Sequence, residues 1–105
     1  MFFEDYKYHD NAVISPKLFW EYDLNDFDFE EMKNIVVERV IERGHKNDWY
    51  ALLNLYGINE VVHVIKNLPY LNRKDANFVQ VIFNIPSNEM KCLQRKQSPH
   101  LHWNS

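Results

Sequence analysis

Apolar residues recur at helical spacing along most of the chain, interrupted by recognisable caps and stops. In DFDFEEMKNIVVERVIERG, Phe29, Met32, Val36 and Val40 repeat every three or four positions, widened by Ile35, Val37 and Ile41 into one broad face. Asp28 stands where an N-cap belongs, Glu31 completes the box three residues on, and Phe27 and Met32 suit a hydrophobic staple. Arg43 suits the negative helix end, and Gly44 is read as a left-handed stop. This helix is expected at the centre of the core.

The pattern then repeats in shorter units. Asn47 or Asp48 opens a helix carrying Trp49, Leu52, Leu53 and Tyr56 on one side, ended by Gly57. Asn59 caps a third with Val61, Val64, Ile65 and Leu68, until Pro69 forbids continuation. Asn72 and Asp75 start a fourth with Phe78, Val79, Ile82 and Phe83 inward, closed by Asn84 and Pro86. Ser15 and Pro16 start a short helix through Trp20, and Ser87 another through Met90 and Leu93. The fold class is all-α, a compact single domain of five or six short helices over residues 15–93.

Two flanks depart from this period. Residues 1–14 alternate aromatic and polar types (Phe3, Tyr6, Tyr8) and read as an irregular or extended arm, or a short edge strand. Residues 94–105 form a tail holding Arg95, Lys96, His100, His102 and Trp103, with no acid after Glu89. Phe3 and Trp103 are large apolar residues near the ends, and both are candidates for docking on a partner.

Composition narrows the function classes. The chain has 105 residues, enough to bury about two-thirds of its unfolded surface without a metal or disulfide. Fifteen acids face twelve bases, which argues against a broad nucleic-acid coat. The lone Cys92 forms no internal disulfide, and MFFEDYKYHD lacks the basic and apolar regions of a secretory signal, so a cytoplasmic address is expected. No apolar run has the roughly 18 residues that span a membrane, so no membrane partner is expected.

Chemistry-bearing motifs are sparse. His100, His102 and Cys92 match metal ligands by type alone, because zinc needs three or four converging ligands and the chain offers no second pair. No metal or other cofactor is therefore expected. Glu30, Glu31, Glu38 and Glu42 read as a solvated helix face, His45 and His63 as surface residues, and Cys92 as an apolar filler. There is no phosphate loop, GxGxxG or HExxH, and catalysis is not expected. One stripe has the chemistry of base recognition: Arg73, Asn77, Gln80 and Asn84, with Lys74 alongside, after two helices that meet at Gly57 like a helix-turn-helix.

A family resemblance adds to this reading. Leu18-Phe19-Trp20-Glu21-Tyr22-Asp23, Ile35 through Arg39-Val40-Ile41-Glu42-Arg43-Gly44, and Tyr56-Gly57 carry it. It continues through Leu71, Ala76-Asn77-Phe78 and Phe83-Asn84-Ile85-Pro86 to Glu89, Lys91 and Cys92. Over about residues 15–93 the chain resembles a family of short uncharacterised bacterial proteins, a domain of unknown function. Its members are often encoded beside nucleotidyltransferase-like toxins of the abortive-infection type. The resemblance implies a non-enzymatic antitoxin or accessory partner of such a toxin; a small DNA-binding regulator is the alternative, and self-association a third. It carries over no catalytic residue.

Overall fold

The computed structural model describes residues 3–23 and 25–93. They hold four α-helices, α1 (Lys33–Arg43), α2 (Lys46–Tyr56), α3 (Ile58–Asn67) and α4 (Arg73–Phe83). Three 3-10 turns accompany them, at Glu4–His9, Pro16–Phe19 and Ser87–Glu89. No strand occurs among the described residues. The all-α reading therefore holds, and the termini of several elements shift.

The core forms where α1 and α2 meet α3 and α4. Helix α1 buries Val36, Val37, Val40 and Ile41 and packs against all three other helices and the Pro16–Phe19 turn. Helix α2 is buried almost all round, with Trp49, Tyr50, Ala51, Leu52 and Leu53 inside. Val61, Val64 and Ile65 form the inner stripe of α3, and Ala76 and Val79 that of α4. Phe78 was expected on this inner face but is 40% exposed, because the smaller Ala76 lies at the contact. Cys92 is buried, consistent with an apolar filler.

Caps decide the boundaries. The Asp28 carboxylate accepts from the Glu30 and Glu31 amides at 2.9 and 3.2 Å, so it caps as expected. The turn it starts is separate from α1, however, which begins at Lys33; the Tyr56 hydroxyl takes the Phe29 carbonyl between them. Helix α2 starts from His45 and not from Asn47 or Asp48, and α3 runs on from Gly57 with Asn59 inside its first turn. Asn72 caps α4 as expected, accepting from the Asp75 amide at 2.8 Å.

Gly44 does not have the left-handed conformation the pattern assigned to it, whereas Gly57 ends its helix as expected. Gly44 is extended at φ −73°, ψ 152°, and is required for space: a Cβ would stand 2.6 Å from the Val40 carbonyl oxygen. Gly57 is required for conformation, at φ 85°, ψ 156°, with open space where a Cβ would go. That region is essentially restricted to glycine. Gly57→Ala is therefore expected to cost about 1–3 kcal/mol in denaturant unfolding, without a change in helix content by circular dichroism.

The N-terminal segment needs the largest correction. It is neither extended nor an edge strand: Glu4–His9 form a 3-10 turn packed on α2. Phe3 is 2% exposed, stacked on Trp49 at 5.3 Å and edge-on to Tyr50 at 5.9 Å. A side chain so placed belongs to the core and is not a docking residue. Trp103, with the rest of 94–105, lies outside the described residues.

Candidate functional site

Polar side chains of α2 fasten the N-terminal segment along its length. Asn54 donates to the Tyr6 and His9 carbonyls at 2.9 and 3.2 Å. Tyr50 donates its hydroxyl to Asp5, and this bond, followed by His9, holds the Asp5 carboxyl below the usual range. The His9 ring lies flat on Tyr50 at 4.0 Å. Further along, Asp48 accepts from the Ser15 amide at 2.8 Å and from the His45 amide at 2.9 Å. These groups form a clasp: the carboxylate of Asp5 accepts from the Tyr50 hydroxyl and lies 3.3 Å from His9 Nε2.

The clasp builds one wall of an apolar groove of about 240 Å³, lined by Ala12, Val13, Ile14, Phe29, Ala51 and Leu55. Asn54 pins the chain before Ala12, and Asp48 pins it after Ile14. The opposite wall, at Phe29, is fixed through its carbonyl by Tyr56. Burial, then the charge of Glu30, pushes the Tyr56 hydroxyl up to about 12, so it stays a donor. Val13 is 71% exposed and Leu55 49%. Small-molecule pockets commonly start at about 300 Å³ with several convergent polar groups; this groove is smaller and mostly apolar, and it suits one or two inserted side chains. Sequence reasoning missed it because Ala12–Ile14 and Leu55 look like unrelated apolar residues until the Ser15–Asp48 bond brings them together.

A second apolar exposure lies on α4. Val81 is 79% exposed and Phe78, one turn before it, 40%. Residues three apart on a helix are surface neighbours, so the pair forms a ridge. Arg73, Lys74 and Asn77 are exposed on the same helix, as the base-reading stripe requires. Gln80 is removed from that stripe: its amide donates to Ser87 Oγ at 2.9 Å and to the Ile85 carbonyl at 3.4 Å, closing the end of α4.

Other ionisable groups serve as struts. Arg39 binds Glu21 bidentately at 2.8 and 2.7 Å and donates to the Leu18 carbonyl. This arrangement lowers the Glu21 carboxyl and presents Trp20, 75% exposed, on a pinned turn. Lys33 bridges Glu30 and Glu60 at 2.9 and 3.1 Å, and Lys66 pairs with Glu89. Among the described residues no three His, Cys, Asp or Glu side chains converge as a metal site would require. His45 and His63 are exposed. No described helix is long and apolar enough to cross a membrane.

Glu38 departs from the expected solvated face. It is half-buried, and burial, then the Glu42 charge one turn on, raises its carboxyl above the ordinary range. A folded value above the unfolded one adds stability in acid, which is lost as pH rises through the folded value. Glu38→Gln is thus expected to stabilise the protein at neutral pH by about 0.5 kcal/mol, the scale of a like-charge pair one turn apart. The gain should shrink as pH falls through the ordinary glutamate range, where Glu38 is protonated in both the folded and the unfolded chain, as unfolding curves at neutral and acid pH would show.

Residues 14–65 match a family of unknown function, DUF6922. The DUF6922 match runs from Ile14 through α1 and α2 to Ile65 in α3, and it includes four of the six groove residues. It is shorter than the resemblance read from the sequence, which extended to residue 93, and it supports an uncharacterised domain. No curated protein and no solved structure matches the chain.

Proposed function

We propose that the chain is a non-enzymatic protein-interaction module whose groove beside α2 receives an apolar anchor of a partner protein. The observation that carries this reading is the groove itself: lined by apolar side chains, braced on both walls, and flanked by Val13 and Leu55 in solvent. Charge suggests the partner's chemistry. Residues 1–44 contain eleven acids and five bases. Asp28 and Glu30 are exposed and flank Phe29 of the groove in the chain, and the exposed Asp10 lies two residues before Ala12. A basic surface carrying an apolar anchor fits, since opposite charge speeds encounter while the buried anchor holds the complex. The family resemblance favours a nucleotidyltransferase-type toxin, whose basic nucleotide or RNA surface the module would cover as an antitoxin or accessory partner.

Co-expression with the neighbouring gene product tests this. The two should co-elute at low salt, and Leu55→Asp should abolish co-elution while leaving the helical spectrum unchanged. Separate elution of the unaltered proteins would remove the reading's support.

The alternative, a small DNA-binding regulator, is favoured by the exposed Arg73, Lys74 and Asn77 on α4. It is weakened by the loss of Gln80 to the Ser87 contact. If this reading holds, upstream DNA is bound with a steep salt dependence, and Arg73→Ala relaxes site preference. Absence of a shift at low salt eliminates it.

A further inference from the structure

Residues Phe3–His9 form a strap, and α2 forms its seat. Phe3 is buried, stacked on Trp49 and edge-on to Tyr50, whereas none of Glu4–His9 is buried. Polar groups hold the rest: the Tyr50 hydroxyl donates to Asp5, the His9 ring lies on Tyr50, and Asn54 donates to the Tyr6 and His9 carbonyls. Trp49, Tyr50 and Asn54 all belong to α2, so these contacts fall on one helix. The strap leaves its seat through a turn at Asp10 and Asn11, both exposed, closed by a backbone bond from the Ala12 amide to the His9 carbonyl at 3.0 Å. Beyond that turn the chain is fixed again by the Ser15 amide on Asp48. Opening the turn therefore releases the strap as a unit and leaves Ala12–Ile14 on the groove.

We propose that the seat on α2 also receives the strap of a second copy, so that two chains exchange Phe3–His9 and pair. The segment already seated identifies the occupant: a second copy brings the same Phe3 to Trp49 and Tyr50, and the same Asp5 to the Tyr50 hydroxyl. Exchange of an identical element is a low-cost route to a dimer. Each exchanged contact replaces the same contact made within one chain, so the contact energies cancel. The balance is then set by the effective concentration of the strap at its own seat, about millimolar for a short connection. The inference does not rest on the groove or on any other partner.

Deleting Asp10 and Asn11 from the full chain tests this, because a shortened connection keeps the strap off its own seat but not off another's. In sedimentation equilibrium the unaltered chain should stay near its 12.8 kDa mass until about millimolar concentration. The shortened chain should reach about twice the single-chain mass at concentrations about tenfold lower or less. Adding Phe3→Ala to the shortened chain removes the anchor and should restore the single-chain mass. Circular dichroism verifies that the helices persist in each variant.

A second measurement reads the seat without the deletion. A peptide of residues 3–11 should bind the full-length Phe3→Ala chain, whose own strap is loosened. It should bind the unaltered chain about tenfold or more weakly, because the resident strap competes for the same seat. A folded shortened chain that stays single at every concentration overturns the proposal, as does pairing that survives Phe3→Ala. So does failure of the peptide to bind the Phe3→Ala chain, or equal binding by a peptide that itself carries Phe3→Ala.

Discussion

Trp49→Ala should lower the free energy of unfolding by about 3–5 kcal/mol, the range for removing a large buried aromatic. Small domains hold about 5–15 kcal/mol in total, so this single change consumes a large share. The reason is where the ring sits. It is 3% exposed, stacks on Phe3 from the N-terminal segment, and lies 5.9 and 5.8 Å from Phe78 and Phe83 of α4. Removing it leaves a cavity between two units that share little else, and neither can collapse into the space without leaving its own neighbours. Phe3→Ala should be milder and local, loosening the first turn while α4 stays in place. Urea unfolding followed by circular dichroism gives the size of each effect, and hydrogen exchange locates it. Equal losses of protection in α4 for both variants would show that Trp49 does not bridge them.

Asp48→Ala carries the second large expectation, about 2–4 kcal/mol. Asp48 is 1% exposed, and its two carboxylate oxygens accept from amides 33 and three residues away, those of Ser15 and His45. Alanine removes two hydrogen bonds to a charged acceptor, worth about 1.5–3 kcal/mol each when fully buried and less here, where both are part-buried. Asp48→Asn separates the contributions, because the amide oxygen can still serve one donor and its loss should be roughly half. The consequence extends to function. Ser15 is the pin immediately after Ile14, so the alanine variant should also free one wall of the groove and weaken binding of whatever the groove receives. Stability loss without any change in exchange at Ala12–Ile14 would mean the wall is held by its apolar contacts alone.

Both residues show where local pattern informs and where it does not. Trp49 is legible as a core residue from its spacing with Leu52, Leu53 and Tyr56, and the cap at Asn72 from its spacing with Asp75. Such features depend on residues within one or two helical turns, where geometry follows directly from sequence separation. Asp48 looks like one more helix-starting acid, and nothing in the chain links it to Ser15. Gln80 reads as a solvent-facing base reader, and only the return of the chain at Ser87 shows that its amide is occupied. The N-terminal aromatics look like an arm because their alternation has no helical period. A six-residue 3-10 turn is too short to display one, and its stability comes from α2.

The sequence alone settles that the chain is helical, roughly where each helix lies, and which apolar stripes of α1, α2 and α3 face inward. These properties follow from capping and from a 3.6-residue period, both read over short distances. Tertiary structure alone decides that Phe3 is core, that Gly44 serves space and Gly57 conformation, and that Val13 and Leu55 flank one hollow. Each depends on two segments distant in the chain meeting in space, and the free energy of that meeting is not written in the spacing of either segment.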